Sequence, residues 1–219
     1  MQFIRSTPDV AAVALAAELK QRLQAGQLVW LISGGSNISL AVTAMAALPP
    51  ELTERLAIGL VDERYGPVGH KDSNWQQLTD AGFDFQRATA QPILNSGDIE
   101  TSAANYSGWL QTQLDSGVPL IGQFGMGADG HIAGILPDSP AVTANDLVTA
   151  YHSEQFDRIT TTFALIRRCT AAYLLAFGDD KRPMLERLRE PDSLSKQPAQ
   201  ILRELADSYV YNDQIGEEL

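Results

Sequence analysis

Residues 125–137, GMGADGHIAGILP, carry three glycines in the first six positions and then place Asp129 and His131 two apart. Glycines let backbone approach a ligand closely. A neutral imidazole can take a proton from water, and a nearby carboxylate can fix its tautomer. A spacing of two does not oblige the side chains to touch. The carboxylate could instead bind backbone and shape the loop, which would make the stretch a structural turn. A metal centre is not expected, because no second His or Cys stands at ligand spacing and His152 lies far away in a strand pattern. No G-x-S-x-G nucleophile context occurs either.

Four other stretches carry groups suited to an anion. SGGSN (33–37) stands between an apolar run and a helix start, where free N–H groups and the helix dipole suit phosphate or carboxylate. Gly34 and Gly35 would keep side chains away from the ligand, and Ser36 adds a hydroxyl. The stretch is neither a Walker loop nor GxGxxG, so no nucleotide is implied. In VDERYGPVGHKDSN (61–74), Arg64 offers a planar fork of donors; a surface ion pair with Asp62 or Glu63 is the plainer reading. His70, between Gly69 and Lys71, reads as a solvated loop histidine. Arg158 in RIT and Lys181 in GDDK are cations at element ends, each readable alone as a surface charge.

These residues need elements to position them. Thr7-Pro8-Asp9 reads as cap, first position and acidic first turn of a helix that stops at Gly26. QLVWLIS (27–33) and LAIGLVD (56–62) are apolar runs without helical period, suited to strands buried on both faces. VPLIGQFG (118–125) is a third. Helices are expected over 38–48, 73–80, 99–114, 180–189 and near 198–206, with further strands over 147–152, 158–165, 172–178 and 208–212. Strands alternating with helices indicate an α/β protein, a Rossmann-like, mainly parallel sheet flanked by helices. No linker divides the chain, so residues 1–219 are expected to form one domain. In such sheets ligands sit outside the carboxyl ends of the strands. GGS, VDER and GMGADGH each end one.

Composition narrows the partners. The chain has 219 residues, 44% of them hydrophobic and 20% charged, which is ordinary for a globular protein. A net charge of −11 argues against nucleic acid and anionic membrane as partners. No apolar run is long enough to span a bilayer. VAAVALAAEL (10–19) looks briefly like a signal core, but Pro8 and Asp9 precede it and helical chemistry continues through Lys20 and Arg22. The single Cys169 fits a reducing compartment, and a cytoplasmic location is expected. Nothing in the sequence sets the oligomeric state.

Together, SGGS, VDER…DSN, GMGADGH…LP, RIT and GDDK occur in the order seen in 6-phosphogluconolactonases, and the chain resembles that family over nearly its whole length. The resemblance implies hydrolysis of 6-phospho-D-glucono-1,5-lactone to 6-phosphogluconate, a step of the pentose phosphate pathway, with no cofactor. It implies His131 as the base that activates water, with Asp129 supporting the same loop. Gly34, Gly35, Ser36, Arg64, Arg158 and Lys181 would surround the phosphate or the sugar hydroxyls of this small-molecule substrate.

The chain departs from the family pattern at three places: Asn37-Ile38 stands for Thr-Pro, IAGILP follows DGH, and Phe156-Asp157 stands for Pro-Pro before RIT. The related glucosamine-6-phosphate deaminases often continue DGH with Ile-Ala, as here, but then carry Phe-Asn-Glu-Pro. This chain has Gly134, Ile135, Leu136 and Pro137, with no carboxylate. A non-catalytic sugar-phosphate sensor is a third reading; it retains no room here for a DNA-binding segment.

Overall fold

The computed structural model describes residues 1–218. The first helix forms where its signals stand: the Thr7 hydroxyl accepts from the Val10 N–H, Pro8 opens the first turn, and the helix ends at Ala25 before Gly26. In chain order the elements are β1 (Gln2–Arg5), α1 (Pro8–Ala25), β2 (Leu28–Ile32), α2 (Ile38–Ala46) and α3 (Pro50–Thr53). There follow β3 (Leu56–Leu60), β4 (Asp62–Arg64), α4 (Asn74–Asp80), β5 (Thr89–Ala90), α5 (Ile99–Asp115) and β6 (Leu120–Gly125). The last third holds β7 (Val148–His152), β8 (Asp157–Thr161), α6 (Phe163–Ile166), β9 (Ala171–Ala176), α7 (Arg182–Leu188), β10 (Ser208–Asn212) and β11 (Glu217–Glu218).

Eight strands make one sheet in the order β11-β1-β10-β9-β6-β2-β3-β5, and every pairing in it is parallel. All five residues of β2 and all six of β9 are buried. That burial on both faces is why these strands read as continuous apolar runs. The α/β, mainly parallel architecture expected from the sequence is therefore the observed one.

The strands expected over 147–152 and 158–165 lie outside that sheet. β4, β8 and β7 form a separate three-stranded antiparallel sheet. The second of them also ends early, at Thr161. Thr162 caps the short helix α6, its hydroxyl accepting from the Ala164 N–H at 3.1 Å. Residues 198–204 form a 3-10 run rather than an α-helix, seated by buried Ala199, Ile201 and Leu202. Strand β1 gave no sequence signal, since only its middle two residues are partly buried.

Candidate active site

Between β2 and β6 the sheet reverses its winding. From β2 the order runs outward through β3 to β5; from β6 it runs the other way through β9 to β10. The crevice beyond the carboxyl ends of two such strands is the usual ligand position in open α/β sheets. SGGSN leaves β2 and GMGADGH leaves β6, so both motifs open into it. A cleft of about 300 Å³ lies there, walled in part by Gly34, Gly35, Ser36, Arg64, His131, Arg158 and Lys181. Asp129 is not on its wall and reaches it through His131.

Asp129 and His131 do touch. His131 Nδ1 lies 2.7 Å from Asp129 Oδ1, and the same oxygen accepts the His131 backbone N–H at 3.1 Å. The carboxylate thus shapes the loop and holds the ring at once. Partial burial pushes the Asp129 carboxyl upward, but the hydrogen bonds and charge of His131 bring it down to about 2. An ionised Asp129 requires the proton of a neutral His131 to sit on Nδ1, which leaves Nε2 as the basic nitrogen. Gly127 makes room for the pair: a Cβ there would stand 2.2 Å from His131 Nδ1 and 2.4 Å from Asp129 Oδ1.

The cations come from three elements. Arg64 ends β4 and Arg158 lies opposite it in register on β8. Arg64 makes no surface ion pair of the kind the sequence allowed. Its Nη1 donates to the Asp72 carbonyl at 3.0 Å, and Glu63 is engaged elsewhere. Arg158 is only 7% exposed; its Nη1 lies 3.9 Å from Asp62 Oδ2. Lys181 pairs with Asp180 at 2.8 Å and faces the cleft from the turn after β9.

Glu63 anchors this wall. Fully buried, it accepts from the N–H groups of Arg64, Asn74 and Trp75 and from the Ser73 hydroxyl. It thereby fixes the start of α4 against the end of β4. Burial pushes its carboxyl up from 4.5 while these four donors oppose the shift. His70 is partly buried rather than solvated, with Nε2 2.9 Å from the Arg64 carbonyl.

Asn37, Asp62, Asn74 and Phe156 also line the cleft. Buried Asn37 donates to the Leu175 carbonyl at 3.1 Å, linking the β2 loop to β9. Asn74 donates to the Asp62 carbonyl at 2.9 Å and lies against Gly34, where a Cβ would meet its Oδ1 at 2.0 Å. Gly34 is thus required for close approach, whereas Gly35 takes a φ of +69°. Burial pushes the Asp62 carboxyl up, against the charges of Arg64, Arg158 and His131. Asn37 and Phe156 were visible in the sequence only as departures from a pattern.

Among the described residues, no group of three or more His, Cys, Asp or Glu side chains is placed to hold a metal ion. Cys169 is buried and its thiol is pushed up to about 12, so it offers no nucleophile. No helix among the described residues is long and apolar enough to cross a membrane.

Relatives share this frame. A 6-phosphogluconolactonase of Synechocystis is 31% identical over 209 residues, covering 89% of this chain and 85% of that one. The bovine (Bos taurus) 6-phosphogluconolactonase is 28% identical, covering 78% and 72%. Among solved structures, a 6-phosphogluconolactonase from Shewanella baltica superposes with a TM-score of 0.80 at 20% identity, covering 97% of each chain. One from Plasmodium vivax gives 0.82 at 16%, covering 97% of this chain and 90% of its own. The family model for glucosamine-6-phosphate isomerases/6-phosphogluconolactonase matches residues 6–211, and the chain belongs to that family.

Proposed function

We propose that this protein hydrolyses 6-phospho-D-glucono-1,5-lactone to 6-phosphogluconate, the lactonase step of the pentose phosphate pathway. The observation that carries the reading is one cleft at the winding reversal of the sheet. It joins a carboxylate-held histidine to three cations and a glycine-rich helix start. Membership of the family and the relatives' names support it. A cytoplasmic location fits the lone, buried Cys169.

In this reading Arg64, Arg158, Lys181 and the Ser36 end of the glycine turn hold the phosphate and sugar hydroxyls, which brings the lactone carbonyl to His131. Neutral imidazole takes a proton from water as its oxygen attacks that carbonyl. The ring C–O bond then breaks, and the proton passes to the departing ring oxygen. No covalent enzyme intermediate is needed. Asp129 holds the tautomer that leaves Nε2 basic.

The oxyanion donors can be narrowed. The N–H groups of Gly127 and Gly130 are engaged inside the loop, by the carbonyls of His131 and Gly127. Those of Gly34 and Gly35, ahead of the turn that runs into α2, are the better candidates. The deaminase chemistry of the same family is disfavoured. Gly134, Ile135, Leu136 and Pro137 carry no carboxylate, and Gly134 is held through its N–H by Thr160 and through its carbonyl by Tyr151.

The test is the decay of enzymatically generated lactone near neutral pH, with wild type and with His131→Ala. General-base help is worth about 10²–10⁴ in rate, and that is the loss expected in the variant. Wild type no faster than spontaneous hydrolysis would remove the lactonase reading. An active His131→Ala would remove only the base.

A further inference from the structure

Arg64 and Arg158 are direct cross-strand partners in the β4–β8 pairing. Like charges in that position repel, and burial of Arg158 leaves little water to screen them. Three groups offset the repulsion. Asp62 faces Arg158, the Ser153 hydroxyl accepts from Arg158 Nε at 3.3 Å, and the third is an aromatic ring. Phe156, on the cleft wall, has its ring centroid 5.3 Å from the Arg64 guanidinium carbon and 5.8 Å from that of Arg158. The turn that carries it is closed by Ser153, which donates to the Phe156 carbonyl from its N–H at 3.0 Å and its hydroxyl at 2.7 Å. Arg64 is held on one side by the bond from its Nη1 to the Asp72 carbonyl, and its Nε is buried with no hydrogen-bond partner among the described residues, so the ring is the second constraint on that guanidinium.

We propose that Phe156 is a positioning residue for anion binding: one ring orders both guanidinium groups at the cleft before the phosphate arrives. The face of an aromatic ring is negative and attracts both cations. Groups ordered in advance lose less freedom on binding. The inference rests on the lactonase reading only for the identity of the phosphate ester.

The test is calorimetric titration of the intact protein with inorganic phosphate, for wild type, Phe156→Leu and Phe156→Tyr. Leucine keeps an apolar side chain and removes the ring; tyrosine keeps the ring. Phosphate affinity is expected to fall about three- to tenfold in the leucine variant and to stay near wild type in the tyrosine variant. In the lactone assay KM should rise by the same factor in Phe156→Leu, with kcat less affected. Leucine binding phosphate as tightly as wild type, or tyrosine losing as much as leucine, would overturn the proposal. So would a wild type that binds no phosphate. Absence of lactone turnover would remove the lactonase reading alone, because the phosphate titration does not depend on it.

Discussion

One oxygen of Asp129 meets both the ring and the backbone of His131, at 2.7 Å and 3.1 Å. An asparagine in its place can present its amide N–H₂ to Nδ1, which favours the tautomer with the proton on Nε2. Asp129→Asn should therefore lower kcat by about 10²-fold or more, with KM close to wild type. Steady-state kinetics on the lactone check this, and an unchanged kcat would confine Asp129 to loop shaping.

Gly127→Ala gives the same chemistry a steric test. Its Cβ would displace the pair from a backbone that is not left-handed, so kcat should fall toward the Asp129→Asn level while the melting temperature changes little. A variant with wild-type kcat would show that the two side chains need not touch.

The acid stability of the protein carries a signature of the same carboxylate. Asp129 is depressed from 3.8 to about 2 in the folded protein. Its contribution is complete above the unfolded value, near pH 4, and disappears as pH falls through about 2. The urea midpoints of wild type and Asp129→Asn should converge across that interval. A gap that stays constant from pH 5 to pH 2 would contradict an ionised native Asp129.

Glu63 was legible only as a charge beside Arg64, and the structure makes it the anchor of α4. Glu63→Gln turns an amide N–H₂ toward donors that need an acceptor. The expected loss of stability is about 2–4 kcal/mol, with a higher KM as Arg64 loosens. Chemical denaturation and lactone kinetics on the same variant read both; wild-type stability would refute the anchor.

Lys181 lies on the cleft wall and, among the described residues, forms an ion pair only with its exposed neighbour Asp180. Lys181→Ala should raise KM about tenfold while kcat changes less, because a phosphate is held alike in ground and transition states. A fall in kcat alone would point to a role nearer the reacting carbonyl.

The candidate site was largely legible because its motifs follow buried parallel strands, whose apolar runs and terminal glycines are local signals. SGGSN and GMGADGH each announced the end of a parallel strand; VDER follows β3, but its Asp62–Arg64 form β4 of the smaller antiparallel sheet, and all three motifs open into one cleft. What the sequence withheld depends on distant pairing. Nothing near Asn74 announces Gly34, nothing near Phe156 announces Arg64, and nothing in 147–165 says that these strands leave the main sheet. His70 looked solvated for the same reason, since its partner is the Arg64 carbonyl brought round by the loop.

The β4–β8 pairing also bears on how the chain acquires its shape. Arg64 and Arg158 meet only after the chain between them, with α4, α5, β6 and the Asp129–His131 loop, has been laid down. Closing so long a loop is slow relative to helix formation and neighbouring strand pairing. During refolding, helical signal should return before the two arginines are aligned, and phosphate affinity should be among the last native properties to recover.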